Sequence, residues 1–215
     1  MKLYYNPLST YSQKAMIAFY EKDVAFEPEF VDLMSPEGKA AYAQVYPIGK
    51  LPLLKPSDDY MIPESTIIIE YLEGHHASGT RLIPDGVDAA RQVRFMDRMS
   101  DLYLNNPSIT LLFDRLGFRK RSEDELATAS AHLRSTFAHF DKRLANQDWL
   151  CGEFSMADCA AIPALFYCQL VAPIADYPNL VRYYERARQR PSYARVMAEF
   201  VPIWEGMMAQ GAAAA

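Results

Sequence analysis

Residues 49–72 read GKLPLLKPSDDYMIPESTIIIEYL. Leu51 to Leu54 and Tyr60 to Ile62 are two short strand-forming runs around the turn Lys55-Pro56-Ser57-Asp58-Asp59, which is the pattern of a hairpin. Pro63-Glu64-Ser65 then leads into Thr66-Ile67-Ile68-Ile69-Glu70-Tyr71-Leu72. The β-branched run Thr66 to Ile69 favours a strand by propensity alone. The polar residues before it, the continuation to Glu73 and the stop at Gly74 favour a buried helix instead. The stretch therefore predicts a β-β-α unit.

Upstream, residues 2–5 (Lys-Leu-Tyr-Tyr) read as a short strand, and Asn6 to Thr10 as a loop punctuated by Pro7. Apolar residues at helical spacing predict a helix over 11–21. Residues 25–31 alternate as an edge strand, because Pro28 cannot donate to a ladder. A helix over 36–46 follows, with Ser35 as cap and Pro36 in its first turn. The order is β-α-β-α-β-β-α in under 80 residues. Beyond a Gly/Pro-punctuated linker at 78–88, strand signals cease. Helical stretches are expected at 88–116, 123–146, 155–170, 179–190 and 192–201, with Pro107 kinking the first. The expected organisation is a domain at 1–77, a linker at 78–88 and an all-α domain at 89–211, with the tail Gly211 to Ala215 set aside.

The chain has 215 residues, 22 Lys plus Arg and 27 Asp plus Glu, a net charge of −5. The first 77 residues carry 6 Lys, no Arg and 11 acids. The remainder carries 14 Arg, 2 Lys and 16 acids, a balance of zero. This mild acidity gives no reason to bind nucleic acid or an anionic membrane. Cys151, Cys159 and Cys168 match no zinc spacing and no Cys-x-x-Cys motif, and their odd number points to free thiols in the cytoplasm. The start Met1-Lys2-Leu3 lacks the apolar core of a signal peptide, and no window reaches the length of a membrane span. His75, His76, His132 and His139 lack the neighbours of a metal site, so no metal is expected.

Four places have the residue types for chemistry. The loop Asn6-Pro7-Leu8-Ser9-Thr10-Tyr11-Ser12 runs from a strand into a helix, where amide donors and the helix dipole favour an anion such as a thiolate; alternatively, Ser9, Thr10 or Ser12 merely caps that helix. Lys50-Leu51-Pro52 opens a strand with proline; with a cis bond, Leu51 is free to pair with an extended peptide, and otherwise Pro52 is an ordinary loop proline. Glu64 and Ser65 begin a helix. They suit the ammonium and carboxylate of an α-amino acid, or else form a cap. Ser155 and Asp158 have the spacing of a capping box, a structural device.

In order and spacing these features resemble the cytosolic glutathione transferases along the whole chain except the Ala tail. The resemblance implies a thioredoxin-like N-terminal domain that binds glutathione and an all-helical C-terminal domain. It implies that Pro52 is cis, that Leu51 pairs with the cysteinyl part of glutathione, that Glu64 and Ser65 hold the γ-glutamyl end, and that Lys50 reaches the glycyl carboxylate. In Ser-type members the thiol-activating residue lies before the first helix, at Ser9; in Tyr-type members it ends the first strand, which makes Tyr5 the runner-up. With hydroxyls at Ser9 and Ser12, this loop cannot exchange disulfides. The middle residues Thr10 and Tyr11 depart from the Ser-Ser-Cys-Ser of the zeta class, which argues against its isomerase activity.

The resemblance further implies that glutathione is a co-substrate, that no cofactor is bound, and that the other substrate is a small hydrophobic electrophile. Tyr11, Tyr103 and Asn106 are the candidate contacts for that electrophile. Glutathione-dependent peroxidase activity, a homodimer, and a binding or scaffold protein that has lost catalysis all fall within the same expectation.

Overall fold

The computed structural model describes the backbone of residues 1–213 and the side chains of residues 1–209. Of the tail residues set aside above, Ala214 and Ala215 lie outside the described residues. The chain divides into two compact units. One is Met1–Gly79 together with the last helix, and the other is Thr80–Arg190.

The first unit contains β1 (Lys2–Tyr5), α1 (Thr10–Glu21), β2 (Glu27–Phe30), α2 (Pro36–Val45), β3 (Leu53–Ser57), β4 (Tyr60–Pro63) and α3 (Ser65–His75). This is the predicted thioredoxin-like order. The sheet runs β2-β1-β3-β4, with β1 parallel to β2 and antiparallel to β3. β2 lies on the edge, where the missing N–H of Pro28 costs no ladder bond. β3 differs from expectation: it continues through Pro56 to Ser57, with a break in its pairing to β4 between Leu54 and Ser57. The break accommodates the missing proline donor, and the turn shrinks to Asp58 and Asp59.

α1 is buried almost all round, with Ala15, Met16, Ile17, Ala18 and Phe19 each 0% exposed. Small and apolar side chains there let the helix touch both α3 and α9 (Pro191–Ala213). Two lysines tie it to α3. Lys14 Nζ donates to Thr66 Oγ1 at 2.8 Å, and Lys22 Nζ lies 3.3 Å from Glu73 Oε1. The sequence reading placed the last helix in the helical half and ended it at 201. In the structure it continues through Pro202 to Ala213, and it belongs to the first unit. Ser192, Arg195 and Glu199 explain the difference. Spaced along one face, they meet Glu21, the ring of Tyr20, and the hydroxyls of Tyr5 and Tyr20.

The second unit is helical: α4 (Val87–Met99), a six-residue π segment (Ser100–Asn105), α5 (Asn106–Arg115), α6 (Glu123–Arg143), α7 (Met156–Val171) and α8 (Pro178–Arg188). The stretch expected at 88–116 is interrupted by that π segment just before Pro107, where a kink was expected. Pro107 has no N–H for the carbonyl four residues earlier, that of Tyr103. The hydroxyl of Thr136 on α6 donates to that carbonyl instead, at 3.0 Å.

The Ser155–Asp158 capping box opens α7 as predicted. Asp158 Oδ2 accepts from Ser155 N–H at 2.9 Å and Ser155 Oγ at 3.1 Å. Asp158 Oδ1 accepts from Leu150 N–H and the Tyr183 hydroxyl, both at 3.0 Å. Four donors thus surround a carboxylate that is 0% exposed, so it anchors the preceding loop and α8 as well as the helix start.

Burial pushes the Asp158 carboxyl up to about 6, from 3.8 when unfolded, against the pull of those donors. Between these values the folded chain holds a proton that the unfolded chain releases. The resulting stabilisation is full below pH 3.8 and is lost as pH rises through about 6, a change of at most ~3 kcal/mol. Urea midpoints at pH 4 and pH 7 are expected to show this fall in the wild type and not in Asp158→Asn. Parallel profiles for the two proteins would contradict it.

Candidate functional site

One row of the sheet gathers the candidate residues. Tyr4 on β1 pairs with Leu53 on β3, and Leu53 pairs with Pro63 on β4. The row joins the end of β1, the start of β3 and the end of β4. The loop to Ser9, the arriving Leu51-Pro52 and the departing Glu64-Ser65 therefore leave the sheet on one side. Neighbouring strands are about 4.8 Å apart, so these three groups span roughly 10 Å of sheet width.

Ser9 is the N-cap of α1, and its Oγ accepts from Ser12 N–H at 3.3 Å. A hydroxyl that accepts one bond keeps its own proton to donate, so capping and anion binding are compatible. The loop is braced from within. Asn6 Nδ2 donates to the Val31 carbonyl at 2.9 Å, and Asn6 Oδ1 accepts from Leu8 N–H at 2.9 Å. Asn6 N–H reaches Ser12 Oγ at 3.2 Å, and Gln13 Nε2 donates to the Pro7 carbonyl at 2.6 Å. The sequence reading missed Asn6 and Gln13. Asn6, a turn-forming residue at a strand end, was the available signal.

The Leu51-Pro52 bond is cis. Leu51 is 9% exposed and packs with Tyr4, Val31, Tyr42 and Leu53. The Tyr42 hydroxyl donates to the Lys50 carbonyl at 2.8 Å, while the Lys50 side chain is exposed. Neither the N–H nor the C=O of Leu51 forms a hydrogen bond among the described residues. A buried residue with both peptide groups unpaired suits the edge of an added strand.

Glu64 precedes α3 with φ +72°, a conformation uncommon outside glycine and typical of ligand-contacting positions. Its side chain is exposed and does not cap the helix. Ser65 opens α3 at 4% exposure. The Glu64 side chain makes no cap hydrogen bond to α3, and the N-terminus of that helix presents the positive end of its dipole.

The Tyr5 hydroxyl is committed elsewhere. It donates to Glu199 Oε2 at 2.9 Å, and burial together with that carboxylate raises its pKa far above the ordinary phenol value. Tyr4 lies on the opposite face, 6.0 Å from the ring of Tyr42. Tyr11, half-buried, sits two residues beyond Ser9 in the first turn of α1. Tyr103 and Asn106 belong to the second unit. Tyr103 is 41% exposed on the π segment and lies edge-on to His132 at 5.8 Å, and Asn106 begins α5. Among the described residues, no three or more His, Cys, Asp or Glu are placed to hold a metal ion, and no helix is long and apolar enough to cross a membrane. The three cysteines are free.

Both halves of the chain match family models. Residues 3–80 match the N-terminal domain of glutathione S-transferases, and residues 123–186 match their C-terminal domain. The chain is 29% identical to glutathione S-transferase hmp2 of Hypomyces subiculosus over 213 residues, covering 93% of this chain and 98% of that protein. It is 28% identical to glutathione S-transferase F10 of Arabidopsis thaliana, covering 91% and 96%. Among solved structures, a glutathione S-transferase of Methylobacillus flagellatus with glutathione bound superposes with a TM-score of 0.81 at 25% identity, covering 91% of this chain and 98% of that one. A thioredoxin-like sheet with these three groups at one end of its strands, a helical second unit, and family matches in both halves lead to one conclusion: the chain belongs to the glutathione S-transferase family.

Proposed function

We propose that the protein is a glutathione transferase that ionises the glutathione thiol at Ser9 and directs the thiolate onto a hydrophobic electrophile. The observation that supports this most is the shared sheet row beside Ser9, Leu51 and Glu64-Ser65. The N-terminus of α3 at Ser65 receives the α-carboxylate of the γ-glutamyl group, and Glu64 receives its ammonium. The cysteinyl backbone pairs with Leu51 as an added strand, and Lys50 reaches the glycyl carboxylate.

This leaves the thiol to Ser9. A free thiol with pKa near ~8.5 is only a few per cent ionised at neutral pH. Lowering it by about two units requires roughly 2.7 kcal/mol, which a hydroxyl donor and the N-terminus of α1 together supply. The thiol proton passes to solvent, a carbon–sulfur bond forms, and the leaving group departs with its electron pair. The same thiolate can reduce a hydroperoxide to its alcohol, the sulfur passing to a sulfenic acid that a second glutathione converts to the disulfide with loss of water. Tyr11, in the first turn of α1 beyond Ser9, is assigned to the electrophile.

Ser9→Ala is expected to raise the pKa of bound glutathione by about two units, read from thiolate absorbance, and to lower kcat/KM at neutral pH about 25-fold as the thiolate fraction falls. Tyr5→Phe should leave the thiol pKa unchanged. The reverse pattern would transfer the role to Tyr5.

Glu64→Ala is expected to weaken glutathione binding at least tenfold by calorimetric titration, with the thiol pKa of the saturated complex unchanged. Absence of glutathione binding by the wild type at millimolar concentration would overturn the site. Binding without turnover of aryl halides, isothiocyanates or hydroperoxides would favour a scaffold.

Exposed apolar side chains support a homodimer. Tyr60, Met61 and Ile67 of the first unit are 52%, 45% and 51% exposed, and Phe95 of the second is 48% exposed. The wild type is expected to sediment as a dimer, and Met61→Asp combined with Phe95→Asp as a monomer. A wild-type mass near 24.4 kDa at micromolar concentration would exclude the dimer. The free thiols fit a reducing cytoplasm.

A further inference from the structure

A cavity of about 560 Å³ opens within the first unit, lined chiefly by Tyr5, Phe19, Tyr20, Phe26, Arg195 and Glu199. Phe19 and Tyr20 lie in the last turn of α1, roughly 15 Å of helix away from Ser9. The cavity is therefore a different place from the sheet row that carries the glutathione site.

Its hydrogen-bonding capacity is one-sided. The Tyr5 hydroxyl donates to Glu199 Oε2 at 2.9 Å, and the Tyr20 hydroxyl to Glu199 Oε1 at 3.2 Å. Burial and the Glu199 carboxylate keep both phenols protonated, with Tyr20 pushed up to about 12. With their single protons directed at Glu199, both phenol oxygens face a ligand only as acceptors, and the carboxylate retains room for about two more donors.

The cation at this site, Arg195, is exposed to solvent and has its guanidinium 3.8 Å from the centre of the Tyr20 ring. Asp23, also in the lining, brings the formal balance of Asp23, Arg195 and Glu199 to −1. Aromatic rings form the wall: Phe26 lies 4.8 Å from Phe19 and 5.9 Å from Tyr20. An acceptor-rich, aromatic-walled, negatively balanced cavity matches a flat cation carrying N–H donors and mismatches an anion such as glutathione.

We propose that this cavity is a second binding site, for an organic cation of the aryl amidine or aryl alkylamine class, with its N–H donors on Glu199 and its ring against Phe26. The inference goes beyond the transferase reading and does not require it. The test is calorimetric titration of the full-length, glutathione-saturated protein with benzamidine, and with benzoate as the same ring of opposite charge.

Benzamidine is expected to bind once per chain, at least tenfold more tightly than benzoate. Glu199→Gln should lower its affinity at least tenfold. Ala25→Trp, which fills the cavity from an exposed position on its rim, should abolish benzamidine binding while leaving glutathione affinity unchanged. Because Ala25→Trp leaves the Tyr5–Glu199–Tyr20 contacts in place, it tests the site even if Glu199→Gln disturbs the fold. Failure of benzamidine to bind, equal binding of benzoate, displacement of benzamidine by glutathione, or unaltered binding in Ala25→Trp would each overturn the proposal. Benzamidine binding to a protein that fails to bind glutathione would sustain this site and sink only the transferase reading.

Discussion

The pairing of Tyr4 with Leu53 and of Leu53 with Pro63 is the constraint on which the site depends. A one-residue slip in either ladder would turn buried Leu53 and Leu54 to opposite faces and move the Leu51 peptide away from the loop to Ser9. The register is held by burial on both sides of the sheet. Leu3, Leu53 and Leu54 are each 0% exposed, α3, itself packed on α1, lies against β3 and β4, and Tyr42 of α2 packs with Tyr4, Leu51 and Leu53. Core packing and ligand geometry are therefore one requirement, and the loop around Asn6 transmits it to Ser9.

Charge plays a smaller part than composition suggests. The first 77 residues carry the whole net charge of −5, yet the proposed ligand is an anion. Much of the local charge is already matched. Lys22 faces Glu73, and Lys2 lies 3.3 Å from Glu29. Arginines of the second unit pair within it, Arg121 with Glu125 and Arg186 with Asp148. What remains at the sheet row is local: the N-terminal ends of α1 and α3 and the exposed Lys50. Donors within hydrogen-bonding range act in a partly dry site, whereas distant carboxylates are screened by salt over about 10 Å.

Most of the first unit was legible because its signals are local. Pro28 marked an edge strand and Ser35-Pro36 a helix start; in the second unit Ser155–Asp158 marked a capping box. Pro56 and Pro202 misled in the same direction, each lying inside an element that was expected to end before it. Proline stops an element only where its missing donor or its ring cannot be accommodated; here a register break absorbs the first, and helical structure continues past the second. The φ of Glu64 was illegible, because nothing in its residue type asks for a left-handed backbone. Glu199 was illegible for a different reason. Its partner Tyr5 is 194 residues away, and no short-range pattern encodes such a contact.

That separation has a bearing on how the chain is made. The first unit consists of the two ends of the chain, with residues 80–190 inserted between them. Residues 1–79 leave the ribosome early, with β1 and α1 complete but the hydroxyls of Tyr5 and Tyr20 lacking their acceptor. A chain growing at about 5–20 residues per second needs roughly 6–24 s more to deliver Glu199. During that interval the apolar face of α1 that α9 later covers is open to water or to a chaperone, while the helical unit between has all its own residues to fold with. Synthesis thus finishes the second unit before the first, and the C-terminal helix acts as the closing stitch.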